Sequence, residues 1–133
     1  MRKVGFSVYP THAELEENLE YIEKANKYGF NRVFTCLLSA SGDKEKVFSE
    51  FKKTIEYANK CNMEVIADIN PKIFKYLGAD YGDLKAFNDL GLYGIRLDTG
   101  FSGLEESVMT FNKYGLKIEL NMSAGNKYLD NII

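Results

Sequence analysis

Five times along this chain a short, largely apolar run ends in a polar residue or pair and then breaks into a loop and a helix start. The clearest instance is Gly94-Ile95-Arg96-Leu97-Asp98-Thr99-Gly100-Phe101, where Ile95 and Leu97 alternate with Arg96 and Asp98. Successive side chains of a strand point to opposite faces, so one face here is apolar and the other charged. The plan recurs at Ser7 with Tyr9, Thr35 after Val33, Asp68 with Asn70, and Glu119 with Asn121. Strands that alternate with helices and show no hairpin signal predict an α/β fold with a parallel sheet.

The connecting segments read as helices. Thr11-His12-Ala13-Glu14 fits an S/T-x-x-E capping box with Thr11 as N-cap. Leu15, Leu19, Ile22 and Ala25 follow at helical spacing, and Gly29 is a natural left-handed terminator. Residues 32–39 (RVFTCLLS) are almost continuously apolar, as in a strand buried on both faces. Ser41-Gly42-Asp43 caps a second helix that turns Val47, Phe48, Phe51, Ile55 and Ala58 inward. The third strand, 63–70, closes at Pro71, and two short helices, 73–77 and 83–90, lead to the fourth strand at 93–98. A helix at 103–114 and a fifth strand at 116–121 follow, and Ser123-Ala124-Gly125-Asn126 begins something helical. Ile22-Glu23-Lys24-Ala25-Asn26-Lys27 is echoed by Ile55-Glu56-Tyr57-Ala58-Asn59-Lys60, a repeat about one βα unit long.

Composition narrows the function classes. The 133 residues are 45% hydrophobic and 27% charged with a net charge of -2, ordinary values for one globular domain. Lysines interleave with acids, so no nucleic-acid partner is expected. No apolar run approaches the ~20 residues a bilayer requires, and Met1-Arg2-Lys3-Val4 leads straight into a strand. A cytoplasmic protein without membrane contact is expected. Cys36 and Cys61 lack metal-type spacing and read as buried thiols of a reducing compartment. His12 is the lone histidine and reads as a first-turn helix residue, so neither a metal nor an organic cofactor is expected.

Five parallel strands also suit a self-contained flavodoxin-like domain. Against it, residues 126–133 are too few for a last covering helix, and Asp68/Asn70, Arg96/Asp98 and Glu119/Asn121 each share one strand face. In an open sheet those faces lie under helices, whereas in a (β/α)8 barrel they converge on the mouth. A barrel needs ~250 residues. The expectation is therefore a partial TIM barrel, strands one to five with their helices. Residues 1–133 are read as the truncated N-terminal portion of that domain.

Gly5-Phe6-Ser7-Val8-Tyr9-Pro10, Phe34-Thr35-Cys36-Leu37-Leu38, Ile95 through Phe101, and Glu119-Leu120-Asn121-Met122-Ser123 resemble the N-terminal part of the 6-phospho-N-acetylmuramidase family. The resemblance implies a TIM barrel followed by a smaller cyclophilin-like domain, absent here. It also implies cleavage of a 6-phospho-N-acetylmuramyl–N-acetylglucosamine disaccharide during cell-wall recycling. With the later barrel strands missing, the fragment alone is expected to be inactive. A non-catalytic sugar-phosphate-binding barrel is the alternative.

Glycoside hydrolysis needs one carboxylic acid and one carboxylate. Asp98 and Glu119, late on neighbouring strands, are the candidate catalytic pair; strands ~4.8 Å apart bring the retaining separation within reach. Arg96 either tunes one carboxylate or holds a substrate group by its planar fork. Asp68 and Asn70 read as sugar-hydroxyl ligands or a third carboxylate, with capping of the loop at Pro71 as the alternative. Asn121 and Ser123 bind substrate or cap the next helix, and Ser7 and Tyr9 line the floor of the mouth. Gly100-Phe101-Ser102-Gly103 is a weak phosphate-loop candidate.

Overall fold

The computed structural model describes residues 2–37, 43–98 and 100–120. The strands are β1 (Gly5–Ser7), β2 (Arg32–Cys36), β3 (Glu64–Ile69), β4 (Gly94–Leu97) and β5 (Lys117–Leu120). The helices are α1 (Leu15–Lys27), α2 (Lys44–Lys60), α3 (Pro71–Leu77), α4 (Lys85–Asp89) and α5 (Gly103–Thr110). All neighbouring strands pair in parallel, in the spatial order β1-β2-β3-β4-β5. A flavodoxin-like sheet would place its second strand outside the first. The sequential order is that of a (β/α)8 barrel wall, of which the chain forms five successive strands.

Burial gives the same answer independently. On one face Val33, Val65, Ala67, Ile69, Ile95 and Leu97 are at most 1% exposed and pack under the helices. On the other face Phe34, Cys36, Asp68, Arg96 and Glu119 are only half-buried. A doubly wound sheet is covered on both faces; this one is covered on one. The apolar run of β2 therefore does not mean burial on both faces, because Phe34 and Cys36 lie on the open side.

Helix boundaries follow local chemistry. Asp43 caps α2, its carboxylate accepting from the backbone N–H of Glu45 at 3.1 Å and Lys46 at 3.3 Å. The N-terminus of α1 differs from expectation. Residues 10–12 form a 3-10 turn that starts at Pro10, and Glu14 is the N-cap, its N–H donating to the Glu17 carboxylate at 3.3 Å. Proline sets the turn early, so the reciprocal box forms three residues beyond Thr11. The two echoed hexapeptides end alike. Gly29 at φ +87 follows α1 and Asn62 at φ +60 follows α2, with Phe30 N–H reaching Ala25 O and Met63 N–H reaching Ala58 O. Both are Schellman closures, and Asn tolerates the left-handed place that Gly usually fills.

Phe74 of α3 stacks on Tyr81 at 4.6 Å between ring centroids and meets Phe87 at 5.1 Å and Phe101 at 5.6 Å. This cluster ties the connection after β3 to the loop after β4. Phe51 is core as expected, Phe74 and Phe87 are buried too, and Phe48 is half-buried. Cys36 and Cys61 are both half-buried rather than buried.

Candidate active site

The open face is concave and carries the charge. Register aligns Cys36, Asp68, Arg96 and Glu119 across four strands, and Phe34, Ile66, Gly94 and Lys117 one step nearer the strand starts. Gly94 is obligatory in that lower row. A Cβ there would stand 2.8 Å from the Lys117 carbonyl oxygen, inside contact distance of backbone.

Arg96 and Asp68 form a two-point ion pair, Nε to Oδ1 and Nη2 to Oδ2, the second at 2.8 Å. The Arg96 guanidinium lies 5.0 Å from the centre of the Phe34 ring. Hydrogen bonding to Asp68 raises the Arg96 pKa above its usual value against the opposing effect of burial, with the charges of Asp68 and Glu119 adding to the rise. The fork geometry fixes the Asp68 carboxylate in orientation as well as in charge.

A second network crosses the concavity lower down. Glu64 accepts from Lys3 Nζ at 2.8 Å and from Arg32 Nη2 at 2.8 Å and Nε at 3.3 Å. The remaining nitrogen of the fork, Arg32 Nη1, stands 3.5 Å from Glu119 Oε1. Burial works to raise the Glu64 pKa, but hydrogen bonds and charge from Lys3 and Arg32 outweigh it and hold the carboxyl below its usual range. Arg32 is on β2 and Glu119 on β5, three strands apart, and register sets Glu119 level with Cys36, so their backbones would stand roughly 20 Å apart in a flat sheet. Their contact closes across the concave face of a sheet curled as a barrel wall.

The predicted residues fall into distinct places. Asp98 follows β4 directly, half-buried, its N–H bonded to Ile69 O at 3.0 Å. Because Glu119 aligns with Arg96, Asp98 stands two residues nearer the C-terminal rim than Glu119. Their backbones are therefore about 8 Å apart rather than one strand spacing, a stagger that alternation alone does not reveal. Asn70 caps α3 through an Oδ1 contact to Ile73 N–H at 3.2 Å. Ser7 and Tyr9 are exposed beside β1, with Tyr9 against the His12 ring at 5.4 Å. Thr35 is on the helix side, 2% exposed, and its hydroxyl has no hydrogen-bond partner among the described residues. It aligns with Ala67 and Ile95, so it does not share the polar plan of the other strands. Asn121 and Ser123 lie outside the described residues.

The Gly100–Gly103 loop uses its donors internally. Ser102 N–H donates to the Glu105 carboxylate at 2.7 Å and Glu105 N–H to Ser102 Oγ at 3.3 Å, a capping box. A phosphate there would compete with Glu105. The residues missed in the sequence are Arg32 and Glu64. Their signal was parity, since Arg32 shares a face with Phe34 and Cys36, and Glu64 with Asp68. Among the described residues no three His, Cys, Asp or Glu side chains are grouped as for a metal, and no helix is long and apolar enough to cross a membrane.

Residues 4–133 match the family described as 6-phospho-N-acetylmuramidase, N-terminal. The fold superposes on a crystal structure of an uncharacterized B. cereus protein with a TM-score of 0.76 and 49% identity, covering 98% of this chain and 34% of that one. A conserved Enterococcus faecalis protein of unknown function gives 0.74 at 23% identity, covering 93% and 33%. The chain thus spans about a third of the solved structures it matches. No curated protein matches the sequence.

Proposed function

The chain belongs to the 6-phospho-N-acetylmuramidase N-terminal family, and we propose that it supplies strands one to five of a TIM-barrel glycosidase acting on a 6-phosphorylated muramyl–glucosaminyl disaccharide in cell-wall recycling. The carrying observation is the concave face, where Asp68, Arg96, Asp98 and Glu119 gather at or beyond the C-terminal halves of β3, β4 and β5. Barrel enzymes keep their chemistry at that end.

In this reading Asp98, nearest the rim, protonates the leaving glycosidic oxygen, and Glu119 below it is the carboxylate that acts as nucleophile or base. Asp68, presented by Arg96, hydrogen-bonds sugar hydroxyls, with Ser7, Tyr9, Asn70, Asn121 and Ser123 around the mouth. The phosphate-holding group lies in the later barrel loops, a frequent site in this architecture. The reaction belongs to the cytoplasm, where recycled wall fragments are processed. These five strands without the rest of a barrel have no turnover.

The test is a chimera in which residues 1–133 replace the matching third of the B. cereus relative, with the unaltered relative in parallel. On 6-phospho-N-acetylmuramyl–N-acetylglucosamine the chimera releases N-acetylglucosamine, and Asp98→Asn lowers kcat by about 10²-fold or more. Tight binding of the disaccharide without release by either protein would instead establish a sugar-phosphate-binding barrel.

A further inference from the structure

Arg32 is absent from the acid–base scheme above, yet its guanidinium ties three strands together on the concave face. Two of its nitrogens, Nε and Nη2, are taken by Glu64, and Glu64 is itself fixed from the other side by Lys3. That leaves Nη1 aimed across the concavity at Glu119 Oε1, 3.5 Å away. A planar fork held at two of its three nitrogens has little freedom to swing, so the position of the third is set by Glu64. The Arg32 side chain is 22% exposed and that of Glu64 20%, so water screens the pair only partly. Tyr93 completes the setting, its ring centre 5.9 Å from the guanidinium carbon.

We infer that Arg32 is a positioning residue for Glu119, with Glu64 as the brace that aims it. Register alone would let the flexible Glu119 side chain point up toward Arg96, its lateral neighbour, or across toward β2. The Nε–Nη2 edge of Arg96 is held by Asp68, and among the described residues the ion pair of Glu119 is with Arg32 Nη1 at 3.5 Å. Arg32 therefore selects the second direction and holds the carboxylate below the rim, with Asp98 two residues above. The space between them is where a glycosidic bond would sit. Misplacing a reacting group by 1 Å costs up to about 10²-fold in rate, so the brace matters even though it touches no sugar. This inference rests on the reading of Glu119 as a reaction carboxylate.

The experiment is a double-substitution cycle in the chimera, measuring kcat and KM on the disaccharide for Arg32→Gln, Glu119→Gln and the pair, with Arg32→Lys alongside. Arg32→Gln lowers kcat by about 10- to 100-fold while KM changes by less than about threefold, and Arg32→Lys, which keeps charge without the fork, falls between. In the Glu119→Gln background Arg32→Gln has no further effect on kcat, because it acts through the carboxylate already removed. Equal losses in both backgrounds, or a kcat untouched by Arg32→Gln, overturn the inference.

Absence of turnover in the unsubstituted chimera and in the unaltered relative alike would overturn the glycosidase reading instead. The holding contact is then decided by thermal unfolding of the 133-residue chain. The Tm losses of Arg32→Gln and Glu119→Gln fail to add by about 2 °C or more if the arginine holds the glutamate. Strict additivity refutes it.

Discussion

On the helix side of the sheet, Val65, Ala67, Ile69, Ile95 and Leu97 are at most 1% exposed and interlock with the helices. On the concave side the same strands present Glu64, Asp68, Arg96 and Glu119, each partly exposed and each in an ion pair. The first face is held by area removed from water, a non-directional term that tolerates exchange of one aliphatic residue for another. The second is held by directed contacts between charges that water partly screens, so it adds less stability per residue but much more geometric definition. Apolar burial and directed contacts between charges are thus divided between the faces of one sheet.

The largest expected effect comes from the helix side. Ile95→Ala, at a fully buried site, costs about 2–5 kcal/mol of stability by lost burial and a cavity. Urea denaturation would show it as a lowered midpoint; a change under about 1 kcal/mol would mean that this face is not the load carrier. Next comes Gly94→Ala on the concave side, which drives a Cβ against the Lys117 carbonyl and costs about 1–3 kcal/mol by forcing β4 and β5 apart. Thermal unfolding measures it, and an unchanged Tm would show that the strands can separate there without penalty.

The smallest effect is electrostatic. The carboxyl of Glu64 is held below its usual range in the fold, so its pairing stabilises fully above the unfolded value and is lost as pH falls through the folded one. Wild type therefore loses Tm on acidification from neutral pH. Glu64→Gln starts lower at neutral pH and loses less, because that carboxylate no longer has to be protonated. Parallel Tm–pH curves for the two proteins would show that the Lys3–Glu64–Arg32 group carries no stability.

Much of the fold was legible because a βα unit announces itself locally. The alternation of Ile95 and Leu97 with Arg96 and Asp98 set the two faces of β4, and Asp43, Gly29 and Pro71 marked helix ends. The candidate site was legible in part, since Asp68, Arg96, Asp98 and Glu119 share the uncovered side of the sheet. Thr35 lies on the helix side, against expectation, because strand parity and not the polarity of its hydroxyl decides its face. Residues 10–12 form a turn and Glu14, not Thr11, caps the helix, because proline fixes φ before a cap at Thr11 can form.

By itself the sequence determined the parallel α/β class, the two faces of β4 and the shared face of Asp68, Arg96 and Glu119, all consequences of periodicities two to four residues long. Tertiary structure alone decided that Arg32 meets Glu119, that Asp68 belongs to Arg96, and that Asp98 stands above Glu119. Those facts depend on register and on the curl of the sheet, which sum small offsets over several strands. No local run of residues encodes that sum.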